Sequence, residues 1–310
     1  MNRCYLSVKS MFMNIVKVAT HDGVFHADEV FALAVLKLCM EKEDTKIEII
    51  RTRNMEIISS CDMAVDVGSE YNNVKRKYDH HQIDKPATRK NGIPYASFGL
   101  IWKHFGCQLT SNKDVWEAIE QKLVLPIDAL DNGVSISVPV FKDIYEFSIA
   151  QVISSISMFY SEDQDIAFGK AVEFAMMIVV GEIRKAENKI EGEEIVTKEI
   201  KNQGEPKMLI LDKYISWEVA VSKFKNVKLV IFPDKRPDRW CIQAARDDLE
   251  IFNQDRISFP KDWRGLADEE LTATSGISGS VFCHTGGFFA VTKTKQSAIN
   301  FAFKAISLFE

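Results

Sequence analysis

The chain has 310 residues, 46% of them hydrophobic and 27% charged, with a formal net charge of −5. That length admits about two domains, and the composition excludes a disordered chain, a collagen-like fibre and a coiled-coil rod. No apolar run approaches the roughly 20 residues of a membrane span, and the acidic balance argues against non-specific coating of duplex nucleic acid.

Residues 1–21 hold Arg3, Lys9 and Lys17, with Ser7 and Ser10 and no acid before Asp22. Mitochondrial presequences share that composition, but the stretch is short and a first strand is predicted at residues 15–19. A helix follows over 27–40, with Asp28 and Glu29 in its first turn, where the helix dipole favours acids. Strands are predicted at 46–51 and 63–67, and helices at 95–105 and 114–125. This alternation predicts an α/β domain with a mostly parallel sheet and flanking helices. Ligands bind such sheets beyond the carboxyl ends of the strands. A long helix over 164–201 is apolar to about Val180, then rich in Glu and Lys, as a solvated or interdomain arm would be. After the break at 203–206 come strands at 208–211, 227–232, 240–244 and 288–292 and a last helix at 295–308, which predict a smaller C-terminal α/β domain.

The six cysteines show no C-x-x-C spacing, so neither a zinc knuckle nor a redox pair is predicted, and the usage fits a reducing compartment. Two basic clusters, Lys75-Arg76-Lys77 and Lys235-Arg236 with Arg239, read either as solvated loops or as part of a local groove.

Four of the six histidines fall within the first 81 residues, each beside carboxylates. His21-Asp22 through His26-Ala27-Asp28-Glu29 lies between the first strand and the first helix. Asp66, in Val65-Asp66-Val67-Gly68, is an acid at the end of the strand at 63–67. Asp79-His80-His81 forms a third group, and Asp128 and Asp131 a fourth on a helix end or turn. Imidazole and carboxylate together suit divalent transition metals. Two such ions about 3.5–4 Å apart, sharing a carboxylate, stabilise in-line displacement at phosphorus. The spacing of His21 and His26 does not match the H-E-x-x-H zinc helix.

Asp79-His80-His81, preceded by acid-bearing strand ends, resembles the DHH phosphoesterase superfamily. The ordered set THDGVFHADE, VDVG, YDHHQ, ASFGLIWKHFG, DALDNG, FPKDWRGL and CHTGGF is more specific. From about residue 15 to the C-terminus it resembles the eukaryotic melanocyte-proliferating-gene family. The resemblance implies a metal-dependent 3′–5′ exonuclease acting on single-stranded RNA or short oligonucleotides in the nucleus or mitochondrion, with no membrane partner. It implies a two-domain, DHH-phosphoesterase-like fold. A metal-binding catalytic domain would cover residues 14–200 with the long connecting helix, and a substrate-binding domain 205–310.

Carried over by motif, the metal ligands would be His21 or its neighbour Asp22, His26, Asp28, Asp66 as the bridge, His80, and Asp131 with Asp128 as the fallback. The resemblance implies two divalent ions, Mn2+ before Mg2+. His81 would contact the scissile phosphate and Asp79 would orient its neighbours. In the C-terminal domain, Arg246, His284, Gly286 and Gly287 would hold a substrate phosphate, the glycines by close backbone approach. Two other readings stay open: a small-molecule phosphohydrolase, and a non-catalytic RNA-binding protein.

Overall fold

Three adjacent parallel strands deliver the histidine and aspartate motifs to one edge of a sheet. Strand β1 (Asn14–Thr20) pairs in parallel with β2 (Thr45–Arg51) on one side and with β3 (Met63–Val65) on the other. Helix α1 (Ala27–Lys42) connects β1 to β2, and α2 (Met55–Ser60) connects β2 to β3. Beyond β3 lie β4 (Tyr71–Asn72) and β5 (Lys77–Tyr78), with β5 parallel to β3 and β4 antiparallel on the edge. The order is β2-β1-β3-β5-β4. Helix α1 is apolar on all sides from Val30 to Leu36, and every residue there is fully buried, as a helix inside a core must be.

The expected strand at 63–67 stops at Val65, because Asp66 turns the chain with φ +56. Helix α3 (Ser97–Phe105) packs on α1. The expected helix at 114–125 runs further than periodicity suggested. It begins as α4 (Lys113–Ile119), widens into a π-helical turn at Glu120–Val124, and continues as α5 (Leu125–Asp131). Pro126 stands at the second residue of α5, directly after that π-helical turn. Helices α6 (Ile149–Phe159) and α7 (Gln164–Asn202) follow.

The computed structural model describes residues 14–82, 88–249, 251 and 254–309; the presequence reading of the first residues therefore lies largely outside the described residues. The chain divides into two compact units between Ala186 and Glu187, inside α7. The second unit thus begins within the helix. The physical reason is that Val196 and Ile200, in the charged half of α7, are wholly buried against Leu209, Trp217 and Val230. That half of the helix is not simply a solvated arm.

In the second unit the strands are β6 (Met208–Ile210), β7 (Leu229–Pro233), β8 (Trp240–Ala244), β9 (Ser280–Cys283) and β10 (Phe289–Thr292), in the order β6-β7-β8-β10-β9. Only β6 and β7 pair in parallel; the remaining pairs are antiparallel. Alternate residues of β7 serve two cores. Leu229 and Ile231 face Phe301 and Ala302 of α10 (Lys295–Phe309) and Leu271 of α9 (Asp268–Ser275). Val230 and Phe232 face the end of α7 and α8 (Glu218–Ser222). Period-two alternation produces this two-sided burial. Among the described residues no helix is long and apolar enough to cross a membrane.

Candidate metal centre

Three of the four parallel strands end one residue before a site residue. His21 follows β1, Asp66 follows β3 and Asp79 follows β5. Asp131 arrives separately, as the last residue of α5. The backbone places Asp66 at positive φ, as it does the following Gly68 (φ +95) and Ser69 (φ +50). Left-handed residues of this kind occur where a site demands a sharp turn.

Asp66 is the hub. Its Oδ2 lies 3.3 Å from His21 Nε2, and its Oδ1 lies 3.3 Å from His80 Nε2 and 3.4 Å from His81 Nδ1. His80 Nε2 is also 3.2 Å from Asp131 Oδ2 and 3.8 Å from Asp28 Oδ2. Burial opposes ionisation of Asp66, but the His21 and His80 rings hold its carboxyl below the usual range. In the reverse direction, burial disfavours charged imidazoles, yet the neighbouring carboxylates hold both His21 and His80 at about 10. Burial and the nearby Asp66, Glu29 and Asp131 push Asp28 well above the carboxylate range. The arrangement is thus overloaded with buried acid.

The residues fit divalent cations on an observation independent of charge. Both Asp28 oxygens and Glu29 Oε2 are buried without a hydrogen-bond partner. Such groups are costly unless something else satisfies them. His21 Nδ1 lies 3.0 Å from the carbonyl oxygen of Asp22, which leaves Nε2 to face Asp66, as an outer partner orients a ligating imidazole. Ligand atoms on adjacent corners of an octahedral ion sit about 3 Å apart when the bonds are about 2.1 Å. The contacts of 3.0 to 3.3 Å among His21, Glu29, Asp66, His80 and Asp131 match that edge. Ligating atoms of His26, Asp28 and Asp131 also fall within 4.8 Å of one another.

Asp22 does not join this cluster. Its carboxylate is half-exposed and pairs with Arg53 at 3.3 Å, because successive residues after the strand point in different directions. Asp128 is likewise occupied elsewhere: it accepts from the Gly99 amide at 3.0 Å and from Arg89 Nη2 at 2.7 Å. Burial nevertheless pushes its carboxyl up to about 7, against the pull of Arg89. Asp79 accepts from the Ser69 amide at 2.6 Å and from the His81 amide at 3.0 Å, and its Oδ1 lies 2.9 Å from His81 Nδ1. That contact makes His81 more basic than an ordinary imidazole. Glu29 is the residue that sequence reasoning missed. It reads as a helix-dipole acid, but it is fully buried, with Oε1 3.0 Å from His21 Nε2.

His21, His26, Arg53, Asp66, Gly68 and Ser69 border a cleft of about 270 Å3, with His81 exposed at its side. Lys75 and Lys77 share the single Glu70, and Arg236 pairs with Asp234, so each basic cluster is offset only in part.

In the second unit, His284, Gly286 and Gly287 form the turn between β9 and β10. The Gly286 amide donates to His284 Nδ1 at 3.0 Å and the Gly287 amide to the His284 carbonyl at 2.8 Å. The expected use of the glycine amides as a phosphate cradle is therefore corrected: both are spent inside the turn. Gly287 is needed for another reason, since φ is +71 and a Cβ would stand 2.6 Å from Arg264 Nε. Arg246, two residues past β8, bridges in backbone to Asp255, and its Nε lies 3.7 Å from the Asp255 carboxylate.

A family model described as Uncharacterised protein family (UPF0160), MYG1_exonuc, matches residues 17–306. A MYG1 protein of Dictyostelium discoideum is 32% identical over 95% of this chain and 98% of its own length. The MYG1 exonuclease of Homo sapiens is 31% identical over 95% of this chain and 86% of its own. Among solved structures, RecJ from Thermus thermophilus in complex with Mn2+ is similar at 12% identity and a TM-score of 0.30. That match covers 94% of this chain and 52% of the other, so this chain spans about half the length of that RecJ. With the family model matched along nearly all of its length, and with these relatives beside it, the chain belongs to the MYG1 family.

Proposed function

We propose that this chain is a metal-dependent phosphodiesterase, a 3′–5′ exonuclease that removes nucleoside monophosphates from single-stranded RNA or short oligonucleotides. The carrying observation is Asp66, whose two oxygens face different histidines, each at 3.3 Å. A carboxylate that presents one oxygen to each of two ligand sets is the arrangement a bridged ion pair requires. His21, His26 and Asp66 would hold one ion; Asp28, Asp66, His80 and Asp131 the other. Mn2+ suits this mixed imidazole and carboxylate set first, with Mg2+ second. Ions bound here supply Lewis acidity and neutralise charge that develops on a phosphate. Asp79 holds His81 in a fixed orientation with raised basicity, so that His81 can donate to the scissile phosphate at the cleft. The MYG1 exonuclease name of several relatives supports the same reading, and the family resemblance points to the nucleus or mitochondrion as its place of action.

The net charge of −5 and the small cleft favour short substrates and keep a small-molecule phosphohydrolase as the second reading. The test is hydrolysis of end-labelled RNA and DNA, from dinucleotides to long oligomers, with MnCl2 and with chelator. Stepwise loss of monophosphates from the 3′ end of RNA, abolished by chelator and by Asp66→Asn, is expected. Asn tolerates the left-handed backbone at this position, so the variant tests the bridge and not the turn. Turnover by Asp66→Asn near that of the wild type would overturn the reading; activity confined to dinucleotides or pyrophosphate would transfer it to the second one.

A further inference from the structure

Glu29 occupies the third position of α1, and its Oε1 accepts the His26 backbone amide at 2.8 Å. This is half of a capping box, a role that glutamine fills equally well. A carboxylate serving only as a cap gains nothing from full burial among other acids. Glu29 is nevertheless 0% exposed, its second oxygen has no partner, and ligating atoms of Asp28, Glu29 and Asp66 lie within 4.8 Å of one another. The capping contact also fixes the carboxylate in space: with Oε1 tied to the first turn of the helix, the group sits 3.0 Å from His21 Nε2 and cannot swing out to solvent.

We propose that Glu29 is itself a metal ligand, an additional carboxylate on the divalent ion held beside His21 and Asp66. The inference rests on the proposed metal centre and adds one residue to it. His21, His26 and Glu29 form a set whose ligating atoms lie within 4.8 Å. The His21 to Glu29 and His21 to Asp66 separations of 3.0 and 3.3 Å are those of neighbouring corners around one ion. A cation there meets Glu29 Oε1 on the His21 side, neutralises a carboxylate whose other oxygen, Oε2, has no hydrogen-bond partner, and offsets the repulsion among three buried acids. The ion beside His21 would then have one more anionic ligand than the motif set alone supplies, which favours retention of a divalent ion over its loss to solvent.

The test is calorimetric titration of the metal-stripped chain with MnCl2, paired with the melting temperature of the metal-free protein. Glu29→Gln keeps the cap acceptor and removes the charge. It is expected to weaken one Mn2+ binding event by at least about ten-fold, the low end of what even an outer partner of a ligand contributes, while the metal-free melting temperature stays level or rises. An isotherm superimposable on that of the wild type overturns the assignment. Should Glu29→Gln not fold, Glu29→Asp retracts the carboxylate by one methylene and is read the same way: weakened Mn2+ binding supports the assignment, unchanged binding overturns it. A wild-type chain that takes up no Mn2+ overturns the metal centre as a whole, whereas a wild type that binds and a Glu29→Gln that binds identically overturn Glu29 alone.

Discussion

The Ser97 hydroxyl donates a hydrogen bond of 2.9 Å to Asp66 Oδ1, with both side chains buried. Ser97 is the first residue of α3, so the helix that packs on α1 also orients the hub carboxylate of the centre. Ser97→Ala should therefore weaken Mn2+ binding by about 10- to 100-fold, the range for an outer partner of a ligand. Its cost in stability should be about 1–3 kcal/mol, because the bond goes to a charged acceptor. Calorimetric titration with MnCl2 and urea unfolding of the metal-free chain check the two parts separately. Unchanged Mn2+ affinity would show that Asp66 is held by its strand turn alone.

Arg246 and His284 belong to the second unit, and their proposed partner is a substrate phosphate. Since His284 Nδ1 accepts from Gly286, the ring proton sits on Nε2, and this atom is the available donor. Arg246→Ala should leave Mn2+ binding as it is and lower kcat/KM by roughly 10- to 150-fold, the equivalent of a charge-assisted bond of about 1.5–3 kcal/mol. Normal kcat/KM in both Arg246→Ala and His284→Ala would remove these residues from the substrate site.

His104 provides a pH dependence remote from the proposed ligands. Its Nε2 lies 2.8 Å from the Tyr71 hydroxyl. Burial and the adjacent Lys103 lower its pKa below the ordinary imidazole value of 6.5. The folded state therefore binds this proton less readily than the unfolded chain does. The associated stability is complete above about pH 6.5 and is lost as pH falls below it toward the folded pKa. Between pH 7.5 and 5.5, conditions set for the assay at about one unit either side of that value, the wild-type melting temperature should fall more than that of His104→Gln. Equal slopes would contradict the assignment.

Ile200 tests where the second unit begins. It is fully buried with Val196 against Leu209 and Trp217, so Ile200→Ala should destabilise by about 2–5 kcal/mol in denaturant unfolding. A solvated helix arm would lose only a few tenths.

The chemistry of the centre was legible in the sequence because it depends on residue type and short spacing. His21 and Asp66 stand at the ends of apolar runs of strand character, whereas His80 follows Lys75-Arg76-Lys77-Tyr78-Asp79 and was legible only from the Asp-His-His motif; adjacent parallel strands bring their carboxyl ends together. The long helices and the alternating first half were legible from periodicity for a similar reason, since local pattern and burial agree there. Orientation was not legible. His21 and Asp22 are neighbours in sequence, yet only one faces the cluster while the other pairs with Arg53. Asp128 and Asp131 lie one turn apart on α5, and the Gly99 amide and Arg89, both distant in sequence, claim the first and leave the second for His80. Glu29 reads in the sequence as a helix-dipole acid, because composition cannot show that a carboxylate is fully enclosed with an oxygen unsatisfied. The Gly286 and Gly287 amides looked free until the turn itself was seen to use them. Residue type and period thus determined which groups could do chemistry and roughly where along the chain. Tertiary structure alone decided which of two adjacent acids faces the centre, because that depends on backbone direction after each strand and on hydrogen-bond donors contributed from elsewhere in the chain.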